Sequence, residues 1–284
     1  MNWVVLSLFS ALSWSLADLF AKQVLKRAPE VHVAWVRSAF ALPVLAGAVL
    51  VWGWTPPGPG FWPVLGAALP LELAATLLYQ RALRLSPLGL TAPYLAFTPV
   101  FLVFSGWWIL GEVPSASAGA GIGLVCAGGY LLHLEPGMRW TGPLRALIRE
   151  RGSLLMLGVS AIYSLTAALG KKAVLLSDPQ SFALVYYVLL TAALTPPAWR
   201  AGRPRPGAAA GRLTAVGVFM AAMILSHFAA IRVAPASYMV ALKRTSLLWS
   251  ILFGIVFLGE GGGAGRFVGG ALMVAGVFLI AGAG

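Results

Sequence analysis

The chain has 284 residues, of which 60% are hydrophobic and only 10% are charged, and its formal net charge is +12. Soluble domains carry about 25% charged residues, so this composition excludes a soluble globular protein and indicates an integral membrane protein. The basic residues are scattered at the ends of apolar runs, which argues against a nucleic-acid partner. The single cysteine, Cys126, excludes an intrachain disulfide.

Apolar runs long enough to cross a bilayer as helices alternate with short breaks rich in Gly, Pro or Arg. They are too long and continuous for the strands of an outer-membrane barrel. They predict ten membrane-spanning helices, called spans 1 to 10, at residues 3–24, 32–53, 61–83, 88–110, 116–134, 153–174, 180–199, 213–233, 236–258 and 266–282. Span 1 has no basic segment before it and no clear cleavage site, so it is predicted to be a retained helix.

The sequence repeats itself at an offset of 148 or 149 residues. The segment "ALRLSPLGL" from Ala82 matches "AIRVAPASY" from Ala230, and "LGE" ends at both Glu112 and Glu260. In span 1, "SLADLFAK" matches "SLTAALGK" of span 6 in the same way. The whole chain is therefore interpreted as a duplication.

Each half holds five spans, an odd number, so the second half must enter the membrane from the side opposite to the first. The predicted fold is an all-α polytopic membrane protein of two inverted five-helix repeats, residues 1–134 and 153–284, joined by an Arg-rich linker at 135–152. Inverted repeats are typical of secondary transporters, with a substrate site near the midplane between the halves. No metal cluster, phosphate-binding loop or nucleophile constellation accompanies them, so no enzyme, metal or other cofactor is predicted.

The stretch "ALRLSPLGLTAPYLAFTPVFLVFSGWWILGE" (82–112) resembles the signature of the drug/metabolite transporter superfamily, in its EamA branch. Small residues after span 3, the Pro-Val-Phe of span 4, the closing Gly-Glu and Arg37 in span 2 all fit. Both halves match, so the resemblance covers nearly the full chain. It implies ten helices, carrier-type transport and cytoplasmic termini.

Span 5 contains "GIGLVCAG", which resembles the dimerising last helix of the small multidrug resistance proteins, and Gly269 and Gly276 repeat its seven-residue glycine spacing in span 10. Small residues allow close helix approach, so a seam between spans 5 and 10 is expected. Those small proteins carry a proton-binding Glu eight residues before the Lys that ends helix 1. Here the residues eight positions before Lys22 and Lys171 are Trp14 and Tyr163. The absence of a carboxylate at both places disfavours proton-coupled export of cationic drugs.

Lys243 and Arg244 lie about eight residues inside span 9, too deep for loop charges. An ionisable group in hydrocarbon needs a partner, a wet cavity or a helix end. Lys243, Ser246 and Ser250 follow helical spacing and form a polar stripe, as expected of a helix that lines a cavity. The corresponding residues of span 4 are Leu95 and Ala96, so the shared scaffold does not require the two cations.

The pair also resembles the phosphate-binding Lys-Arg pair of the triose-phosphate and nucleotide-sugar branches of the superfamily. Arg offers a planar fork of donors to phosphate or carboxylate, and Lys offers a point charge. We therefore predict that Lys243 and Arg244 bind an anionic group of the substrate. The alternatives are an internal ion pair with Glu72 or Asp18, and snorkelling towards the membrane surface.

Further candidates for the substrate site come from the repeat. Trp14 and Tyr163 occupy corresponding places near the presumed centre, and Tyr79 and His227 stand at equivalent positions of the two halves. The histidine could titrate near neutral pH or serve as a packing residue.

Three membrane-embedded charges are candidates for coupling or for counter-ion roles. Glu72 is interpreted as a proton site or as the counter-ion of Arg37, with structural pairing favoured. Asp18 is expected to pair with Lys22, four residues along the same helix. Glu112 and Glu260 are expected to be architectural, each with its carboxylate near the start of the next helix.

Charge and resemblance disagree on orientation. Lys and Arg concentrate in the odd-numbered loops, and the positive-inside bias then places both termini outside, whereas the resemblance implies that they are cytoplasmic.

The sequence thus predicts a secondary carrier in the plasma (inner) membrane that moves a small organic metabolite, with a carboxylate or phosphate, by alternating access. The alternatives are an exporter of neutral or zwitterionic compounds such as amino acids, and a lipid flippase or scramblase. The expected partners are a small-molecule substrate and the lipid bilayer, and the chain is expected to be a monomer or a homodimer.

Overall fold

The computed structural model describes residues 2–25, 29–85, 92–131, 151–202, 210–249, 252–253 and 264–283. The described part of the chain is helical and contains no strand. Its elements are α1 (Trp3–Leu25), α2 (Glu30–Ala39), α3 (Leu42–Trp52), α4 (Phe61–Leu85), a 3-10 helix (Ala92–Phe97), α5 (Thr98–Leu110), α6 (Ala116–Leu131), α7 (Arg151–Leu175), α8 (Pro179–Arg200), α9 (Ala210–Val233), α10 (Ala236–Lys243) and α11 (Ala264–Ala281).

Six helical segments of the described residues are long and apolar enough to cross a membrane. They are Trp3–Ala21, Glu30–Trp52, Phe61–Ala82, Arg151–Leu175, Pro179–Arg200 and Gly211–Val233. Shorter apolar helices cover Tyr94–Leu110, Ala116–Leu131 and Val268–Ala281. The predicted all-α membrane fold is confirmed. The number of ten spans stays a prediction, because much of span 9, including Ser250, lies outside the described residues.

Local sequence explains two of the helix ends. At the end of α5, Gly111 has a φ of 71°, in the left-handed region that favours glycine, and the N–H of Glu112 donates to the carbonyl of Gly106. At the start of α8, the carboxylate of Asp178 accepts a hydrogen bond of 2.7 Å from the N–H of Ser181. Both features satisfy backbone groups that the helix itself leaves unpaired.

Span 2, predicted as one helix, is divided into α2 and α3. The chain turns at Phe40 and Ala41, and Pro43 stands in the first turn of α3, where its missing N–H is tolerated. Gly217 of α9 packs against this turn, because a Cβ added there would lie 2.4 Å from the Cβ of Phe40. The division of span 2 therefore lies directly against the second half of the chain.

Spans 4 and 9 are also interrupted, and at equivalent places. In span 4 the 3-10 helix passes into α5 at Thr98, with Pro99 in the first turn. In span 9, α10 ends at Lys243, the chain turns at Arg244 and Thr245, and residues 246–249 are helical again. Thr98 and Ser246 are 148 residues apart. The two interruptions therefore correspond under the repeat, and both correct the prediction of continuous helices.

Helices of the two predicted repeats pack against each other throughout the molecule, with α1 against α9, α4 against α7 and α6 against α11. The last pair forms the expected seam between spans 5 and 10. A Cβ added to Gly128 would lie 2.5 Å from the carbonyl oxygen of Gly269, and one added to Gly121 would lie 2.7 Å from that of Gly276. The seam is confirmed, and the two halves form one interleaved body.

Candidate functional site

A cavity of about 100 Å³ lies among α1, α4, α5 and α7 to α10. It is therefore bounded by helices of both predicted repeats. Thr98 and Ser246, which mark the interruptions of spans 4 and 9, both border it. Seven residues of the predicted site line this cavity, namely Trp14, Glu72, Tyr163, His227, Lys243, Arg244 and Ser246.

A second cavity of about 50 Å³ adjoins the first, since Trp14, Glu72, Tyr163 and Tyr187 line both. Its other polar lining residues are Arg37, Ser38, Thr76, Tyr79 and Gln80. Together the two cavities are lined by all predicted site residues of the described chain except Asp18, which is the ion-pair partner of Arg37. Their role in binding stays a prediction.

Trp14 lines both cavities and contacts two cations. The guanidinium carbon of Arg37 and the ammonium nitrogen of Lys243 each lie 4.8 Å from the centre of its indole ring. Such cation–π contacts contribute about 0.5 to 2 kcal/mol each, the more the drier the site. Trp14 therefore helps to hold one cation in the wall of each cavity.

Arg37 has a carboxylate partner. Its Nη1 donates to Oδ1 of Asp18 at 2.6 Å, and its Nη2 lies 3.5 Å from the sulfur of Met220. Asp18 therefore pairs with Arg37 of α2. The predicted pair of Asp18 with Lys22 stays a prediction, because the side chain of Lys22 lies outside the described residues. The interpretation of Glu72 as the counter-ion of Arg37 is wrong, because Asp18 is the carboxylate that pairs with Arg37.

Lys243 and Arg244 differ from Arg37 in their surroundings. The ion pairs that the described residues form are Arg37–Asp18 and Lys171–Glu112, so neither Lys243 nor Arg244 pairs with Glu72 or Asp18 there. The Nε of Arg244 is buried and has no hydrogen-bond partner in the same part of the chain. Both cations stand at the carboxyl end of α10, where the helix dipole favours positive charge.

Glu72 projects from the middle of α4 and borders both cavities. The hydroxyl groups of Thr166 and Tyr186, on α7 and α8, lie near enough to interact with its carboxylate. Lys243 is close enough to interact with it electrostatically. The carboxylate thus borders the same cavity as Lys243 and Arg244, neither of which forms an ion pair with another described residue.

Tyr79 and His227, which correspond under the repeat, border different cavities. Tyr79 lines the small cavity, with its ring centre 6.5 Å from that of Tyr163. His227 lines the large cavity, and its Nδ1 is buried without a hydrogen-bond partner among the described residues. The symmetry of the sequence is therefore not kept in their surroundings.

Three aromatic residues that line the large cavity were not predicted from the sequence, namely Phe182, Tyr186 and Phe228. The ring of Phe182 lies 5.2 Å from that of Tyr186 on the same helix and 4.8 Å from that of Phe228 on α9, measured between centres. The four-residue spacing of Phe182 and Tyr186 puts both on one face of α8. That spacing was the available signal, but in an apolar span it does not separate a cavity wall from a packed or lipid-facing surface.

Glu112 meets the start of a helix, but not of the next one along the chain as expected. Its Oε2 accepts a hydrogen bond of 2.7 Å from the N–H of Ala236, in the first turn of α10. It also forms an ion pair with Lys171, which in turn donates to the carbonyl of Ala234. The contact ties α5 to α7 and α10 across the repeats. The corresponding Glu260 lies outside the described residues.

Comparisons with known proteins agree with this architecture. A family model described as "EamA-like transporter family" matches residues 1–134 and 150–282. A solved structure titled "Crystal structure of protein" has a TM-score of 0.78 at 18% sequence identity, and the match covers 98% of this chain and 95% of that one. At this identity the likeness concerns the fold alone. No curated protein matches. Because the family model covers both halves, the chain belongs to the EamA-like transporter family.

Proposed function

We propose that this transporter is a secondary carrier of ten spans that moves a small organic anion, bearing a carboxylate or a phosphate, by alternating access. The observation that carries the proposal is the pair Lys243 and Arg244, which border the large cavity without a carboxylate partner in the described chain. A cation buried away from water is costly unless it is paired. An anionic substrate would supply the missing partner each time it binds.

The chemistry of the two side chains suits such a substrate. The guanidinium of Arg244 offers several donors in a plane, including the unpartnered Nε. The ammonium of Lys243, held against Trp14, adds a point charge beside it. Charge-assisted hydrogen bonds of this kind contribute about 1.5 to 3 kcal/mol each, which corresponds to roughly ten- to hundredfold in affinity.

The size of the large cavity limits the substrate. A dry cavity of about 150 Å³ is known to hold benzene, so a cavity of about 100 Å³ suits a ligand of only a few heavy atoms. The aromatic side chains of Tyr163, Phe182 and Tyr186 leave room for a short apolar part next to the anionic group. Compact anions such as phosphate and lactate fit these limits best, and succinate and glycerol 3-phosphate test their upper end.

A thermal-shift series on the purified protein tests the proposal. Phosphate, glycerol 3-phosphate, lactate and succinate are compared with uncharged glycerol, because a ligand that binds the folded state stabilises it by about 2.7 kcal/mol at a hundredfold excess over Kd. At least one anion is expected to raise the unfolding midpoint of the wild type, and Lys243→Gln and Arg244→Gln to abolish the effect. Lys172→Gln, at an exposed lysine of α7, is the matched control. Equal shifts in all four proteins would refute the proposed site.

A zwitterionic substrate is the second candidate, because Glu72 and Lys243 place opposite charges in one cavity wall. A zwitterion such as alanine would bind its carboxylate at Lys243 and its ammonium at Glu72. It belongs in the same thermal-shift series. A shift with alanine that is lost in Glu72→Gln, and no shift with any anion, would favour this candidate.

We place the carrier in the plasma (inner) membrane, with a small-molecule substrate and the lipid bilayer as its partners, as a monomer or a homodimer. Multi-angle light scattering of the detergent-solubilised protein would refute the last point if it gave a larger assembly.

A further inference from the structure

We infer that Glu72 is the coupling site of the carrier and that it takes up one proton when an anion binds beside Lys243 and Arg244. The inference rests on the proposed anion transport and adds the coupling ion to it. In the proton step, the ionised carboxylate of Glu72 and one proton from the solvent give the neutral carboxylic acid, while the anion occupies the large cavity.

The first ground is the balance of charge around the large cavity. Arg37 and Asp18 neutralise each other. Lys243 and Arg244 contribute two positive charges, against the single negative charge of an ionised Glu72. Without substrate, Glu72 therefore serves as the nearby counter-charge of the cations. It does not form an ion pair with them, because no basic nitrogen of the described residues lies within 4.0 Å of its carboxylate oxygens.

The second ground is the size of the large cavity. At about 100 Å³, it brings any anion that contacts Lys243 within several Å of Glu72. Two negative charges this close in a poorly solvated site repel each other strongly, and a like charge favours the protonated form of a carboxyl group. An anion and an ionised Glu72 therefore compete for the same cations. Protonation makes Glu72 neutral and ends this competition.

The third ground is the position of Glu72 between the two cavities. The small cavity, of about 50 Å³, is lined by the hydroxyl groups of Thr76 and Tyr79 and by Gln80. Gln80 is 4% exposed, and its Oε1 has no hydrogen-bond partner in the described part of the chain. A polar cavity of this size has room for water. Glu72 can thus exchange a proton through the small cavity while the substrate occupies the large one.

The other groups that face Glu72 leave this assignment intact. Lys243 and Arg244 come from α10, the Arg37–Asp18 pair from α2 and α1, and His227 from α9. The remaining titratable neighbours are the phenols of Tyr79, Tyr163, Tyr186 and Tyr187. Glu72 is therefore the single carboxylate, among the described residues, that borders the large cavity.

Proton uptake on binding can be counted by titration calorimetry in two buffers of different ionisation enthalpy. Sulfate and succinate are suitable probes, because they stay ionised above neutral pH and take up no proton themselves. The wild type is expected to take up about one proton per anion, so that Kd rises up to tenfold for each pH unit. Glu72→Gln keeps the shape of the side chain and is expected to bind the anion with no net uptake.

Two further variants separate this role from a structural one. Glu72→Asp is expected to restore the proton uptake, whereas Glu30→Gln, at a carboxylate that borders neither cavity, is expected to leave it unchanged. Anion binding without proton uptake in the wild type, uptake that persists in Glu72→Gln, or binding that depends on sodium instead, would overturn the inference and leave anion transport standing. A wild type that binds neither probe, nor any anion of the thermal-shift series, would contradict the proposed function, and this inference with it.

Discussion

Two cations approach the indole of Trp14, and among the described residues only Arg37 of the two is neutralised by a carboxylate. Sequence periodicity and the repeat predicted central positions for Trp14 and Tyr163 and a cavity-lining position for Lys243, and all three line the large cavity. They could not predict that Asp18 pairs with Arg37. That choice depends on the distance between α1 and α2, whereas periodicity along one helix gives only neighbours such as Lys22.

The Asp18–Arg37 ion pair gives a prediction at the scale of single residues. Asp18→Asn removes the countercharge of a guanidinium that is only 10% exposed, and loss of one partner of a buried pair costs about 3 to 5 kcal/mol. The free energy of unfolding in detergent is expected to fall by an amount near the lower end of that range, because Asp18 is 20% exposed. Chemical denaturation of the purified protein measures it.

The double variant Asp18→Leu with Arg37→Met is the control for this prediction. Replacing both charges by apolar groups of similar size is often near neutral, so the double variant is expected to be more stable than Asp18→Asn alone. A single variant as stable as the wild type would show that the pair contributes nothing to the fold.

Among the elements, the interrupted helices are where sequence and structure differ most. Pro43 and Pro99 signal the interruptions of spans 2 and 4, because proline lacks the N–H that a continuous helix needs. Span 9 has no such signal, since Leu247 stands where span 4 has Pro99. Its interruption at Arg244 and Thr245 is a tertiary effect that single-residue preferences do not show. It places the two cations at a helix end that faces the cavity.

The seam between α6 and α11 gives a prediction at the scale of elements. Gly128→Ala would bring a Cβ within 2.5 Å of the carbonyl oxygen of Gly269, and forcing such helices apart costs about 1 to 3 kcal/mol. The midpoint of thermal unfolding in detergent is expected to fall. Gly123→Ala, on the same helix with no atom within 4 Å of the added Cβ, is expected to be neutral or slightly stabilising. Equal midpoints for the two variants would contradict the packing of the seam.

At the scale of the whole molecule, the internal repeat predicted the seam between spans 5 and 10, but not the packing of α1 against α9 or of α4 against α7. It showed that each element has a counterpart, and therefore that α6 and α11 could meet about a shared axis. It did not show where the symmetry is broken. Lys243 and Arg244 have no charged counterparts in span 4, and the enclosed volume between the halves depends on side chains from seven helices.

The central claim is that Lys243 and Arg244 bind the anionic group of a transported substrate. Its most direct test is the exchange of radiolabelled phosphate and succinate by proteoliposomes that contain the wild type, Arg244→Gln or Lys172→Gln. The wild type and Lys172→Gln are expected to exchange at least one of the anions at similar rates. Arg244→Gln is expected to be at least about tenfold slower at low substrate concentration, since it loses a charge-assisted hydrogen bond. Exchange by Arg244→Gln at the wild-type rate, or no exchange of either anion by the wild type, would contradict the claim.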